Sequence, residues 1–312
     1  MAFNVTNISK YTDEISSELI LKTIMTGKTV DLVTVQPGVK YKQTLNILEN
    51  TIDVQAATCG WNEGSGEVNF KQREIEVTPL EIKDELCFKT LEQYYLGATM
   101  KPGAPADVEL GAILAESYLQ RVQKDIELNL WKGGMGTPEY GSIDGFVKII
   151  GEDSDRVEVT GIDGSFTAND IITAVNKMVK NIPEDALEKE DLTLFLSYAN
   201  YNLYTAALRT ANMFHYDGAN GVNYETSVPG TNVKVIGTLG LTGTDYLVLT
   251  PASNLVVGTD LANEEEKFDI FYSRDNDEVR VNIQWKIGAQ VYFPEWAVAN
   301  FQENLRKKIN FN

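Results

Sequence analysis

Two short stretches of this sequence contain residue types that bind phosphates or metals in other proteins. The stretch TGKT at 26–29 ends like a phosphate-binding loop, but the motif requires a glycine at the position of Lys22. The stretch DNDE at 275–278 has a carboxylate spacing that hints at calcium, yet it lacks the central glycine and distal glutamate of an EF-hand loop. We interpret DNDE as a turn before a strand and expect no metal site.

Catalytic groupings are also missing from the sequence. His215 is the only histidine, and no G-x-S-x-G elbow accompanies it for a Ser-His-acid triad. A carboxylate pair such as Glu49 with Glu63 is conceivable in so acidic a chain, but the sequence gives no reason to select one. Trp61 and Trp131 are better explained by packing than as ligand platforms. We therefore expect no catalytic residue, no cofactor and no enzyme activity.

Composition and charge narrow the class of protein further. The 312 residues are 43% hydrophobic, enough for a substantial core, and no apolar run approaches the roughly 20 residues that span a bilayer. The net charge of −18 would repel phosphate backbones, so sequence-specific DNA binding is not expected. An acidic surface can nevertheless lie beside DNA without adhering to it. Cys59 and Cys87 are expected to be reduced and packed, and no membrane partner is expected.

The longest predicted strand lies near the C-terminus. From Val279 to Phe293 the odd positions are apolar and the even positions are mostly polar, which is typical of a half-buried strand. Fifteen residues at roughly 3.3 Å each would reach about 50 Å, whereas a compact chain of this length has a radius of gyration of about 19 Å. Gly288 is a candidate for a bulge that would shorten the strand. An elongated subunit fits this pattern better than a sphere.

A long helix is predicted over 107–132, where apolar residues recur at three- and four-residue intervals. Asp107 is its candidate cap, and Gly133 and Gly134 end it. A polar arm that ends in an amphipathic helix is predicted over 1–25. After a glycine-rich turn, the remaining predicted elements are helices near 168–182 and 198–211 and strands near 192–197, 232–236 and 246–257.

A β-ribbon is predicted between the arm and the long helix. Residues 45–57 and 67–82 are strand-like stretches on either side of a turn that contains Gly60, Gly64 and Gly66. The apolar positions change parity within each stretch, so neither has one clean buried face. A two-stranded ribbon of this kind tends to need a partner to cover it.

Taken in order, these elements resemble the major capsid protein of tailed bacteriophages, which has the Hong Kong 97-type shell fold. The resemblance covers nearly the whole chain. It is carried by the long helix running into Gly133, Gly134, Gly141 and Gly145, and by the late strand pair EKFDIFYSRDNDEVRVNIQWKIGAQVYFPE. The stretch WNEGSG also places Glu63-Gly64 where the family often has an E-G pair in its extended loop.

The resemblance implies an α+β fold in which the long helix is the spine of a peripheral lobe and an α/β lobe packs around local symmetry axes. The implied divisions are an N-terminal arm at 1–37, an extended-loop β-hairpin at 38–84, a peripheral domain with the spine helix at 85–144, an axial domain at 145–260, and returning peripheral strands with the C-terminus at 261–312.

The resemblance also implies a function, which is self-assembly into the hexamers and pentamers of an icosahedral head shell. The chain would be made in the cytoplasm of the host bacterium and would end in the virion, where its acidic wall lies against packaged DNA. The hairpin would fold over a neighbouring subunit. Its expected inter-subunit contacts are Ile52, Val54, Trp61, Glu63, Phe70 and Ile75, which would gain their burial from the assembly.

Two further features of the sequence bear on how the implied shell would assemble and whether its subunits would be cross-linked. No coiled-coil-like segment precedes residue 30 and the chain begins with Met1, so a separate scaffolding protein is expected, together with a portal. Covalent cross-linking occurs in one branch of the family and needs a lysine and an asparagine placed together across subunits. The sequence assigns no such pair.

Three alternatives to a phage shell stay open at this point. A bacterial compartment shell of the encapsulin type has the same fold and would bind a cargo peptide. An acidic, carboxylate-dependent hydrolase would need a pocket and a fixed carboxylate pair. The third alternative is another virion component, such as a tail or decoration protein.

Overall fold

The computed structural model contains two main β-sheets, a separate two-stranded ribbon and a long helix that packs on the sheets. It describes residues 27–51, 54–55, 57, 59, 66–87, 110–135, 143–162, 166–211, 224–260, 267–273, 275–276 and 278–301. The predicted N-terminal helix and its cap, the Asp107 cap and His215 lie outside these residues. Among the described helices, none is long and apolar enough to cross a membrane.

A five-stranded sheet is built around the long C-terminal strand. Its strands are β1 (Thr34–Pro37), β4 (Thr78–Cys87), β10 (Leu255–Thr259), β11 (Lys267–Ser273) and β12 (Glu278–Val291). Strand β12 has 14 residues, so it is about 46 Å long. Strand β12 pairs with β4 along one edge and with β11 and then β10 along the other. Ile287 shows this directly, because it is opposite Thr78 of β4 on one side and Thr259 of β10 on the other.

The predicted spine helix is present as α1 (Leu110–Lys132), which is about 35 Å long. Its apolar residues, including Val122, Ile126 and Leu130, are buried in the same core as the odd-numbered residues of β12. The short helix α2 (Phe146–Glu152) follows and packs on β12. Strict alternation in β12 therefore arises because one face of the sheet is covered by these helices.

A six-stranded sheet forms the second half of the chain, in the order β5, β13, β9, β6, β8, β7. These strands are β5 (Val157–Glu158), β6 (Leu192–Ser197), β7 (Glu225–Ser227), β8 (Lys234–Thr238), β9 (Val248–Pro251) and β13 (Val298–Ala299). Between them lie α3 (Ala168–Lys180), α4 (Glu184–Leu187) and α5 (Tyr198–Thr210). The helices predicted near 168–182 and 198–211 are thus confirmed.

Every residue of β6 is buried because both of its faces are covered. Leu192, Leu194 and Leu196 belong to a core with α3 and α5. Phe195, on the opposite face, has its ring centre 5.0 Å from that of Trp131 on α1. The six-stranded sheet is therefore joined to the spine helix by aromatic packing, as the packing interpretation of Trp131 predicted.

The ends of α1 and α2 meet through two glycines of the predicted turn. Gly145 N donates to Gly133 O at 3.0 Å. A Cβ on Gly145 would lie 2.6 Å from Gly133 N, and one on Gly133 would lie 2.9 Å from Gly145 N. Glycine is needed at both positions because the two backbones are in direct contact.

Two stretches predicted as single strands are in fact two strands each. The stretch 67–82 is divided at Val77 into β3 (Glu67–Glu76) and β4, which pair with different partners. The stretch 246–257 is divided by a 3₁₀ turn at Ala252–Asn254 into β9 and β10, which belong to different sheets. The parity change seen within 67–82 coincides with the first of these two transfers.

The bulge considered at Gly288 is absent, because the register of β12 with β10 runs continuously through it. Gly288 lies directly opposite Gly258, and a Cβ on Gly258 would be 2.8 Å from Ile75 Cδ1. A Cβ on Gly288 would overlap the carbonyl oxygen of Glu76. The absence of side chains at these two glycines therefore allows the chain between β3 and β4 to pack directly on the sheet.

The expectation of packed cysteines is wrong. Cys59 and Cys87 are both exposed. Cys87 ends β4, where its position alternates outward from the partly buried Leu86.

Candidate inter-subunit surface

The ribbon consists of β2 (Lys42–Thr51) paired antiparallel with β3, and its register sorts the side chains onto two faces. Leu45 is opposite Arg73 and Ile47 is opposite Lys71, so these four residues share the inner face. The outer face carries the alternate residues, which begin with Lys42 opposite Glu76 near the five-stranded sheet and include Leu48 opposite Phe70. We call residues 42–47 and 71–76 the ribbon base, and residues 48–51 and 66–70 the distal ribbon.

The inner face of the ribbon base is part of the subunit's own core. Ile75 is 0% exposed and packs in one cluster with Val39, Leu45, Val77 and Val256. Val256 and Gly258 are on β10, so this cluster covers that end of the five-stranded sheet. The prediction that Ile75 gains its burial from the assembly is wrong, because its own subunit already buries it completely.

Polar contacts also fix the ribbon base to the body. The Arg73 guanidinium is 2.7 Å from Asp153 Oδ2, just after the end of α2, and both side chains are mostly buried. Gln290 Nε2 on β12 donates to the backbone oxygen of Glu74 at 2.6 Å. Because the ion pair and the hydrogen bond are both directional, they set the angle at which the ribbon leaves the sheet.

The outer face changes character along its length. At the base it is polar, with an ion pair between Lys42 and Glu74 and a 3.0 Å hydrogen bond from Gln72 Nε2 to Asn46 Oδ1. The same face of the distal ribbon carries three exposed apolar side chains. There Leu48 is 55% exposed, Val68 is 58% exposed and Phe70 is 74% exposed.

These three side chains form one continuous patch, which we call the distal patch. Leu48 is the direct cross-strand neighbour of Phe70, and Val68 is two residues from Phe70 on the same face. Burying a Leu, Val or Phe side chain completely is worth roughly 1.5–3 kcal/mol each. The patch is therefore suited to binding an apolar surface, and the polar ribbon base beside it is suited to solvent.

The sequence-predicted contact residues are distributed unevenly over the ribbon. Phe70 is in the distal patch, and Val54, in the connection between the strands, is 90% exposed. Ile75 is in the core, as described above. Ile52, Trp61 and Glu63 lie outside the described residues, so their contact role stays a prediction.

Sequence reasoning missed Leu48 and Val68. A signal for Leu48 was present, since Ile47 and Leu48 are adjacent apolar residues in a strand and must point to opposite faces. One of the two had to be left outside the inner core. Val68 is separated from Phe70 by Asn69, and this alternation indicates a shared face.

The stretches considered for chemistry have structural roles where the structure describes them. Thr29 of TGKT is buried and bonded to Glu127. Asp275 and Asn276 form a turn directly before β12, as predicted. Within the described part of the chain, no group of three or more His, Cys, Asp or Glu side chains could hold a metal ion.

Comparisons with known proteins identify the fold but not a close relative. No family model matches the sequence, and no curated protein matches it. The structure of a satellite phage P4 procapsid, which includes a size determination protein, is similar over 91% of this chain and 98% of that chain, with a TM-score of 0.60 and 11% identity.

Other similar structures belong to phages and a virus-like particle. A chain of Gordonia phage Cozz has a TM-score of 0.60 and 12% identity, with 88% of this chain and 85% of that chain covered. A virus-like particle from Pyrococcus furiosus has a TM-score of 0.51 and 13% identity, with 94% and 100% covered. The predicted α+β Hong Kong 97-type capsid fold is thereby confirmed.

Proposed function

We propose that this chain is a major capsid protein, a coat protein that self-assembles into the icosahedral head shell of a bacteriophage. A fold alone does not define a function, so the proposal rests on the distal patch. Leu48, Val68 and Phe70 are exposed on a ribbon whose base is fixed in the subunit core. An exposed apolar patch on a projecting ribbon fits a protein–protein contact.

Because the ribbon base is fixed in the subunit and the distal patch is exposed, each subunit presents the patch at the same angle. The core around Ile75 and the Arg73–Asp153 ion pair hold the base, so the ribbon projects in one direction from each subunit. A patch carried at a fixed angle can bind an identical neighbour repeatedly, and a heterologous contact of this kind forms a ring when the rotation between neighbours is a whole fraction of a turn. Hexamers and pentamers of a closed shell are the assemblies that this contact would build.

The other partners follow from the same proposal. Packaged DNA lies beside the shell without binding sites, because a chain with a net charge of −18 repels phosphates. A separate scaffolding protein and a portal assist assembly. The domain divisions stated above and the contacts of Ile52, Trp61 and Glu63 are part of this proposal.

A deletion in the ribbon tests the proposed contact. Residues 49–70 are replaced by a short Gly-Ser linker, which keeps Leu45, Ile47, Arg73 and Ile75 in the base. A short surface connection costs little closure entropy, so the subunit should fold with nearly unchanged thermal stability but should not assemble. Sedimentation and negative-stain imaging distinguish shells from free subunits. Normal shells from the deletion variant would contradict the proposed contact.

A compartment shell is the alternative that shares this fold, since a virus-like particle from Pyrococcus furiosus has a similar structure. The contents of purified particles separate the two functions. A phage head assembled with its packaging proteins should contain nuclease-protected DNA. Particles that contain a single co-purifying protein and no DNA would favour the compartment shell.

We propose no enzymatic activity for the chain. A broad hydrolase screen on the purified protein should show no turnover above background. Saturable turnover that is abolished by one carboxylate-to-amide change would contradict a purely structural role.

A further inference from the structure

Residues 27–33, near the end of the N-terminal arm, contact the buried side chain of Glu127 on the spine helix, and we call them the arm junction. Residues 27–33 form a helical turn, in which Asp31 N donates to Gly27 O at 2.9 Å and Val33 N donates to Thr29 O at 3.2 Å. Thr29 is 0% exposed and Glu127, on α1, is 4% exposed. The arm junction therefore packs in the same core as α1 and β12.

Three side chains make a chain of hydrogen bonds at this contact. Trp131 Nε1 donates to Thr29 Oγ1 at 2.8 Å, which leaves the Thr29 hydroxyl proton to bond Glu127 Oε1. Thr29 N donates to Glu127 Oε2 at 3.3 Å. Both described hydrogen bonds of the carboxyl group thus come from one residue of the junction, so the carboxyl group and the junction depend on each other.

Several charged and titratable groups surround Glu127. Lys28 attracts its carboxylate, and the Lys28 ammonium is also 5.8 Å from the ring centre of Tyr224 and 6.0 Å from that of Tyr198. Asp31 on the junction, Tyr198 on α5 and Glu225 beside Lys28 are the other titratable groups that face this cluster. Burial raises the pKa of Glu127, while Thr29 and Lys28 oppose that rise.

We propose that Glu127 is a proton-controlled latch on residues 27–33, which holds the arm junction more tightly when its carboxyl group is neutral. The charged form is costly because it is buried, and the neutral form has the same shape and keeps its carbonyl oxygen as an acceptor for Thr29. When the junction opens, Glu127 meets water and regains the ordinary pKa of a glutamic acid. Acidification therefore favours the closed latch.

The direction of the pH effect follows from the raised pKa. The closed latch binds a proton at a pH where the open one does not, so closure strengthens as the pH falls through the pKa of Glu127 in the folded subunit. Closure gains no further strength once the pH is below the ordinary pKa of glutamic acid, because both the closed and the open state are then protonated. Opening should become roughly tenfold rarer for each pH unit crossed within this window.

Hydrogen exchange of the full-length, unassembled subunit tests the latch. Peptides covering residues 27–33 are followed between about pH 7.5 and about pH 5, with correction for the intrinsic exchange rate. Wild-type protein should gain protection as the pH falls. Glu127→Gln, which is permanently neutral, should show high protection at both pH values.

Two further variants complete the experiment. Glu116→Gln changes an exposed glutamate on the same helix and should keep the wild-type pH dependence. Thr29→Val removes the hydroxyl at nearly constant shape and should lower protection at both pH values. Wild-type protection that does not change with pH, or the same pH dependence in Glu127→Gln, would overturn the proposal. Failure of Glu127→Gln to fold would also overturn it, because the neutral form is proposed to be the stable one.

Discussion

Leu48 and Phe70 face each other directly across the two strands of the ribbon, and both are more than half exposed. Cross-strand apolar neighbours normally stabilise a sheet by excluding water from each other. Here the pair is at the distal end of the ribbon, whereas the same strands bury Leu45 and Ile75 at the base. One ribbon thus combines a part that belongs to the subunit and a part that is available to another molecule.

Charges placed on the distal patch should block assembly without unfolding the subunit. In Leu48→Asp/Phe70→Asp, each carboxylate would have to enter an apolar contact, and its desolvation is costly. Light scattering across a concentration series should show no large particles, while the melting temperature stays close to that of wild type. Asn69→Asp places a charge on the adjacent residue of the opposite face and should assemble normally. Assembly of the double variant would exclude the patch as a contact.

Shortening Ile75 should destabilise the subunit itself. Because Ile75 is fully buried, Ile75→Ala removes apolar contacts and leaves a cavity, with an expected loss of about 2–5 kcal/mol in the free energy of unfolding. Urea denaturation of unassembled protein measures this loss. Val54→Ala, at a highly exposed position of the same hairpin, is the matched control and should be neutral. A neutral result for Ile75→Ala would mean that the ribbon base is not part of the core.

A side chain at Gly288 should also destabilise the subunit. Gly288→Ala would press a methyl group against the Glu76 carbonyl, and the resulting overpacking should cost about 1–3 kcal/mol. The control is Gln284→Ala on the same strand, where only a 3.4 Å exposed contact with Glu81 is lost. Thermal melts of the two variants make the comparison. Equal melting temperatures would show that the ribbon base does not lie against Gly288.

The Arg73–Asp153 ion pair should show measurable coupling. A double-mutant cycle with alanine at both positions should give about 1–2 kcal/mol, because both side chains are mostly buried and the contact is 2.7 Å. High salt should weaken it little, since buried pairs are poorly screened. The exposed Lys42–Glu74 pair in the same ribbon should show no measurable coupling. If the two cycles give the same result, the ribbon is not anchored at α2.

The long elements were predictable from the sequence because each has one continuous buried face. The spine helix and β12 keep a single periodicity over their whole length, and both were found within a few residues of their ends. Their order along the chain also identified the fold. The glycines at 133 and 145 marked the turn between α1 and α2, where two backbones touch.

The places where a strand changes sheets were not predictable in the same way. At Val77 and at Ala252–Asn254 the chain moves to a different partner, and the prolines beside these points, Pro79 and Pro251, lie within strands and do not show that the partner changes. Local sequence reports alternation but not which sheet supplies the neighbours. For the same reason the sequence predicts one role for the whole ribbon. In the structure Ile75 packs on β10, whereas Phe70 is exposed to solvent.

The buried cluster at the arm junction was also hidden from the sequence. Thr29 and Glu127 are 98 residues apart, and nothing in either local stretch indicates that they meet. A glutamate within the polar positions of an amphipathic helix is normally a surface residue. Only the position of residues 27–33 against α1 makes this one a core residue.

The central claim is that the chain builds closed shells by placing the distal patch on a neighbouring subunit. Cryo-electron microscopy of wild-type particles, produced with the accompanying structural proteins, measures this contact directly. We predict closed shells of hexamers and pentamers in which Leu48, Val68 and Phe70 are within van der Waals distance of another subunit. Closed shells in which these three side chains still face solvent, or the absence of any shell under these conditions, would contradict the account.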